Sequence, residues 1–292
     1  MLHLLRLYND LITKAQGPKK ARFFFWRSLL LWPNSFQFLN FIDKLYRDHG
    51  FDQASLDVVR TKFTRTYYSR KWSKAQQLAA IKAHYSLIEA RFDRQTRQDM
   101  LSHTPIALAE VVAKSGDIYA FSVAQHERYR AEGELSLFMH KSGDPIPLAT
   151  LTFSVDEQNL RIGGLQGPQA EDAKQRVVDA TKDLHGWRPK GAVFDVLYGV
   201  VRALRIRHIE ALATANHPLR QAKRAFVADN DAFWQEMTLG QTPMGDFILP
   251  IVANERSVEE VAAKKRKDWL KRQAYKTEAS DQAQMSLIKR MI

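Results

Sequence analysis

The stretch Leu160–Pro218, LRIGGLQGPQAEDAKQRVVDATKDLHGWRPKGAVFDVLYGVVRALRIRHIEALATANHP, decides the architecture. Leu160 to Gln166 reads as a strand that breaks at a glycine-rich turn, Gly163, Gly164 and Gly167. Pro168 suits the first turn of a helix, and Glu171 and Asp172 suit its positive end. Ala170, Ala173, Val177, Ala180 and Leu184 form one apolar stripe, and Gly186 with Pro189 ends the helix. A second helix buries Val193, Leu197, Val200, Val201 and Leu204, and Ile206 to Ala213 is a core strand. A loop bearing Asn216, His217 and Pro218 follows. Strand, helix and strand in this order frame a pocket at the carboxyl ends of the strands.

Working backwards, four further strands precede this unit: Ala107 to Ala113, Ile118 to Val123, Leu135 to His140 and Pro147 to Val155. Short turns such as Ser115-Gly116-Asp117 make them an antiparallel meander. Before residue 105 the period is helical. Phe38, Phe41, Ile42 and Leu45 share one face, capped by Asn34 or Ser35, and Leu78, Ile81, Tyr85 and Ile88 share another. Working forwards, Asp231 caps a helix ahead of Phe233 and Trp234, and Phe247 to Val252 is a last strand. Ser257 to Glu260 has capping-box spacing ahead of a charged terminal helix. The fold expected is α+β, with a helical N-terminal region packed on a mixed, mostly antiparallel sheet. Its expected divisions are 1–104, a basic helical region; 105–254, the α+β core; and 255–292, a basic helix.

The 292 residues contain 45% hydrophobic and 26% charged side chains, an ordinary globular balance. With no cysteine, disulfides, thiolate metal sites and cysteine nucleophiles are excluded. The net charge of +12 is unevenly placed. Residues 1–100 carry 18 Lys and Arg against 8 Asp and Glu, residues 101–254 carry 16 against 18, and residues 255–292 carry 10 against 6. The middle is therefore close to neutral, which argues against the Leu160–Pro218 unit reading a polyanion, while the basic ends suit an anionic inner-membrane surface, nucleic acid or solvent alone, with the membrane surface the partner expected. The run Phe23–Trp32 is interrupted by Arg27 and too short to span a bilayer. It reads either as a buried helix ending at Pro33 or as an interfacial helix. The N-terminus lacks a secretory pattern, so the location expected is cytoplasmic, peripheral to the inner membrane. Between Lys62 and Lys74, basic residues alternate with Phe63, Tyr67, Tyr68 and Trp72, a pattern that suits stacking on single-stranded nucleic acid and equally the two faces of one amphipathic segment.

Two groups of residues offer chemistry. Gly163, Gly164, Gln166 and Gly167 lie at a strand–helix junction, where glycine allows close backbone approach and a helix N-terminus holds anions. They match neither a Walker loop nor a dinucleotide fingerprint, and the same glycines serve equally as a bulge and a tight turn. His217, extended before Pro218 at the mouth of its strand, is the candidate general base, and Glu210 inside that strand is the second catalytic candidate, with a raised pKa if it points inward and only a solvated strand residue if it points outward. His208 shares the side of the strand that carries Glu210. No metal-ligand spacing or nucleophile elbow is present.

These residues, with Ala180-Thr181-Lys182-Asp183-Leu184-His185-Gly186-Trp187-Arg188-Pro189-Lys190, resemble the bacterial VirK/YbjX family from about Phe36 to Tyr275. The resemblance includes Phe233-Trp234 and the late Lys-Lys-Arg run. It implies a role in envelope maintenance, virulence and tolerance of membrane-active peptides. The central layout is similar to the acetyltransferase-like fold, which implies an acyltransferase-like enzyme with an acyl donor such as acyl-coenzyme A at Gly163, Gly164, Gln166 and Gly167. Its substrate would be a small molecule or a protein. The inserted second helix and the missing pyrophosphate loop depart from that fold. The alternative is a non-enzymatic accessory protein at the inner membrane surface. An open cleft at Gly163–Gly167 favours the enzyme, and a cleft plugged by Phe or Trp favours the accessory protein.

Overall fold

The computed structural model describes residues 17–49, 59, 62–220, 229–253 and 257–292. The chain runs α1 (Gly17–Leu30), α2 (Asn34–His49), α3 (Lys74–Arg91) and α4 (Arg94–Leu101) before its first strand. Then come β1 (Ile106–Val112), β2 (Ile118–Ala124), β3 (Leu135–Lys141), β4 (Ala149–Val155) and β5 (Asn159–Gln166). The remaining elements are α5 (Ala173–Asp183), α6 (Pro189–Leu204), β6 (His208–Ala211), α7 (Asp231–Gln235), β7 (Gly240–Gln241), β8 (Phe247–Leu249) and α8 (Arg266–Ile288). The eight strands form one sheet in the order β1-β2-β3-β4-β5-β6-β8-β7. Only β5 and β6 pair in parallel, so the sheet is mixed and the fold is α+β. The N-terminal sixteen residues and 221–228 lie outside the described residues, and with them the reading of the extreme N-terminus.

Every residue of β4 is buried, so both faces of the sheet are covered. On one face Leu137, Met139, Leu151 and Phe153 join α6 and α8 in the main core. The opposite face carries Ser136, Thr152 and Ser154, all buried. Over it lies the N-terminal layer, whose own core gathers Phe24, Phe38, Ile42, Phe63, Ile81 and Tyr85. Local sequence explains how that layer is held. Ser73 caps α3 through a reciprocal capping box with Gln76. Asp93 caps α4 by accepting the Thr96 amide at 2.8 Å. On the other face, Gly199 lets α6 and α8 cross closely, for a Cβ there would lie 2.1 Å from the Ser280 carbonyl oxygen.

Four expectations are corrected. The helix after Gly167 begins at Ala173, so Pro168 and Ala170 lie in a connecting loop. Asp172 makes no cap bond because its carboxylate takes the Arg176 Nε at 2.7 Å. The last helix begins at Arg266, since Ser257 caps nothing and the extended Val261 ends the turn Val258–Glu260. Asp231 is the first residue of α7 rather than its cap, and it accepts the Thr214 amide at 2.8 Å. The strand expected over Ile206–Ala213 pairs only over His208–Ala211, because Asp246 Oδ1 captures the Ala213 amide at 3.0 Å and draws the chain away from β5.

Candidate functional site

The segment 62–70 stitches the N-terminal layer to the sheet. It opens as the turn Lys62–Thr64, and Tyr68 adopts a left-handed backbone with φ of 56°. The Tyr68 amide donates to the Ala131 carbonyl at 2.8 Å and the Arg70 amide to the Asn216 carbonyl at 2.9 Å. Residues from three distant parts of the chain thereby meet at one place.

At its centre Lys62 Nζ lies 2.5 Å from Glu134 Oε2, with both side chains buried. The Tyr85 hydroxyl donates to the same oxygen at 2.5 Å, and Gln125 Nε2 donates to that hydroxyl at 2.8 Å. The Tyr67 hydroxyl shares a 2.6 Å bond with Ser154 Oγ. Burial pushes the Lys62 ammonium below its ordinary range, while the Glu134 charge opposes the shift. Burial and then Glu134 push the Tyr67 phenol well above its own. His84 accepts the Val155 amide at Nδ1, 3.3 Å away, and burial lowers it to about 4. It is therefore neutral at physiological pH.

A second buried group adjoins the first. His217 Nε2 faces Glu132 Oε1 at 3.4 Å, with both side chains enclosed. His217 Nδ1 accepts the Leu219 amide at 3.2 Å, which places the proton of a neutral imidazole on Nε2, toward the carboxylate. The expected His217 thus lies within the protein rather than in an open loop. The glycines explain how Glu132 reaches it. A Cβ on Gly163 would stand 1.8 Å from the Glu132 carbonyl oxygen, and one on Gly164 would stand 1.9 Å from Glu132 Oε2. Gly163 is also the extra residue of the β4–β5 bulge, where Ile162 opposes Phe153 and Gly164 opposes Thr152.

Beyond Ile162 and Leu212 the parallel strands part, and the space over Gly163 and Gly164 is filled by Glu132, not by Phe or Trp. Gln166 ends β5 opposite Thr150, and Gly167 has open space where a Cβ would be. Asp172 and Glu171 sit at the start of α5. These residues do not fit the pyrophosphate of acyl-coenzyme A, because Glu132 covers both glycines, its backbone over Gly163 and its carboxylate over Gly164, and two more carboxylates stand at the helix N-terminus. Glu210 belongs to a different cluster: it lies 3.8 Å from Arg161 Nε, and Arg161 pairs with Asp156 at 2.6 Å and stands over the Trp72 ring.

Beside the buried centre opens a cavity of about 350 Å³, lined by Lys62, Arg65, Tyr67, Arg128, Arg130 and Leu219 among others. A larger hollow, about 900 Å³, lies far from this chemistry, between the Thr181–Gly186 turn and the start of α8. Among the described residues no group of His, Asp and Glu could hold a metal ion. Sequence reasoning missed Lys62, Tyr67, Glu132 and Glu134. The signal for the last two was Glu132-Gly133-Glu134 opening an apolar strand, since Gly133 itself packs against the Phe153 backbone.

The class defined by this geometry is an α+β protein with a buried acid–base centre between an eight-stranded sheet and a basic helical layer. The chain belongs to the DUF535 family, a protein family of unknown function, whose model matches residues 14–285. It is 27% identical over 217 residues to the uncharacterized protein YbjX of Escherichia coli (strain K12), covering 71% of this chain and 66% of that one. An uncharacterized protein of Haemophilus influenzae is 25% identical over 219 residues, covering 74% of this chain and 73% of that one. The chain thus spans just under two thirds of the length of the E. coli relative. No solved structure matches.

Proposed function

We propose that this protein works at an anionic membrane surface, on the cytoplasmic leaflet of the inner membrane, and docks through α1. One observation carries the reading. Ala21, Phe24 and Ser28 are buried and anchor the helix, whereas Phe23, Trp26 and Leu30 are 57%, 64% and 80% exposed. They recur at spacings of three and four, so they share a face, and the exposed Leu29 and Trp32 extend it. Exposed Lys19, Arg22 and Arg27 accompany them. An apolar, aromatic face beside cations fits the boundary between headgroups and acyl chains. No described helix is long and apolar enough to cross a membrane. An envelope role of the kind the resemblance implies would place the chain at such a surface.

Co-sedimentation with vesicles tests the reading. Binding to anionic vesicles should exceed binding to neutral ones at low salt and weaken steeply as salt rises, at about 1 kcal/mol for each engaged cation. Trp26→Ser should weaken it further with no change in melting temperature. Equal binding to neutral and anionic vesicles at low salt would sink the proposal.

A second reading, group transfer with His217 as general base, is favoured by the buried Glu132–His217 pair, since a carboxylate holds the imidazole in one tautomer. Glu210, paired with Arg161, adds nothing to that pair. His217→Ala would then cost roughly two to four orders of magnitude in rate. A mutant that melts early yet complements fully in a bacterial peptide-tolerance assay would remove this reading.

A further inference from the structure

The cavity beside the buried centre carries more positive charge than the described residues balance. Lys62 is matched by Glu134, but Arg65, Arg128 and Arg130 face the hollow, and among the described residues of its lining Glu127 alone is acidic. No ion pair among the described residues engages any of the three guanidiniums. Arg128 spends one nitrogen on Gln169 Oε1 at 3.1 Å. Like charges are thus held together: burial and then Arg65 lower Arg130, and Arg130 in turn bears on Lys62. Three guanidiniums against one carboxylate leave two positive charges that a dianion would match and a single carboxylate would not. Tyr67 lines the hollow as well, and Leu219, 56% exposed, offers an apolar contact.

We infer that this cavity binds a dianionic phosphomonoester group, with Arg65 and Arg130 as its principal ligands. Resting on the membrane reading above, the inference names the headgroup class that would be engaged there. The link is structural. The turn that supplies Lys62 and Arg65 also anchors α1, through Arg27 Nε to the Thr64 carbonyl at 3.1 Å and the Phe24 and Phe63 rings 5.1 Å apart. One turn thus braces the α1 surface and lines the cavity.

The probes are sn-glycerol 3-phosphate in titration calorimetry, and phosphatidylcholine vesicles doped with phosphatidic acid or phosphatidylglycerol at matched surface potential. The wild-type chain should bind glycerol phosphate and favour phosphatidic acid by about tenfold, the worth of a bidentate charge-assisted pair. Arg65→Gln with Arg130→Gln should abolish both while leaving general anionic binding and melting intact. Leu219→Glu, which sets a carboxylate at the rim, should do the same. A wild-type chain blind to glycerol phosphate and indifferent between the two lipids overturns the inference, and so does a preference that survives both variants. Vesicle binding without either phosphate effect would leave docking standing and remove the cavity. Glycerol phosphate binding that the arginine variant loses, with no vesicle binding, would support the cavity and remove the docking.

Discussion

An alanine at Gly163 tests the packing on which the site depends. The new Cβ would lie 1.8 Å from the Glu132 carbonyl oxygen, 2.6 Å from its carbon and 2.9 Å from its Cα. All three are backbone atoms, so no side-chain rotation relieves the clash. Reaching ordinary contact requires a shift of roughly 1.5 Å in one of two restrained segments. β5 is held by β4 on one side and by the Leu212 amide to the Ile162 carbonyl, 2.8 Å, on the other. The 131–134 segment is held by Ala131 to Tyr68, by Glu132 to Tyr129 and by the Glu134 amide to Phe153, between 2.8 and 3.0 Å. Overpacking of this kind costs 1–3 kcal/mol and occasionally more, and the upper end, about 3 kcal/mol, applies where backbone meets backbone. In a chain of this size that lowers the melting temperature by roughly 5–10 °C. Gly164→Ala strikes only the Glu132 carboxylate, so it should cost less stability but turn that group away from His217. Gly167→Ala meets nothing within 4 Å and should stay within about 0.5 kcal/mol of wild type. Calorimetric melting of the three variants gives the answer. A Gly163→Ala protein that melts with the wild type and the Gly167 variant would refute the reasoning.

Other outcomes follow from the buried charges. Glu134→Leu strands the Lys62 ammonium and should cost about 3–5 kcal/mol in urea unfolding, whereas adding Lys62→Met should recover most of it. A double variant as unstable as the single one would show that the pair is not the source of the loss. His84 carries about 4 when folded against 6.5 unfolded, so its stabilisation is complete above pH 6.5 and is lost as pH falls toward 4. The loss amounts to about 3 kcal/mol, and His84→Asn should flatten the slope of urea midpoint against pH over that window. Glu132→Ala should relieve the Gly164→Ala clash, so the double variant should cost less than the two single ones together by about 0.5 kcal/mol or more. Additive losses would mean that Glu132 and Gly164 do not meet.

Strands and helices were legible where one physical signal dominated. The change of period near residue 105, the apolar stripe of Val193, Leu197, Val200 and Leu204, and Gly116 with φ of 90° in its turn all lead to the observed elements. Boundaries failed where a distant partner outbid local preference. Asp172 has the composition of a cap but is taken by Arg176, and the chain after Ala211 leaves the sheet because Asp246 holds the Ala213 amide. The site was legible only in part. His217 was found because a histidine before proline at a strand end is a visible signal, but its partner Glu132 lies 85 positions away and nothing local announces it. Basic residues alternating with aromatics from Lys62 onward suggest a solvated cationic face, which hides that Lys62 itself is enclosed. Gly163 and Gly164 do allow a close backbone approach, and what approaches is Glu132 of the same chain.

The Lys62–Glu134 pair bears on both functional readings. A buried ion pair pays desolvation for two charges, and apolar residues of similar size commonly replace one at no loss of stability. Stability alone therefore gives no reason for charge at these two positions. Position gives one. Glu134 immediately precedes β3, the strand next to β4 in the middle of the sheet, and fixes Lys62 at the start of a turn that carries Arg65 into the cavity and braces α1. Tyr85 and Gln125 add bonds from α3 and from just beyond β2, so the turn is located by three elements at once. The double variant Lys62→Met/Glu134→Leu separates the two roles: a fold that melts normally but no longer distinguishes phosphatidic acid from phosphatidylglycerol would assign the pair to holding the turn in register, not to holding the protein together.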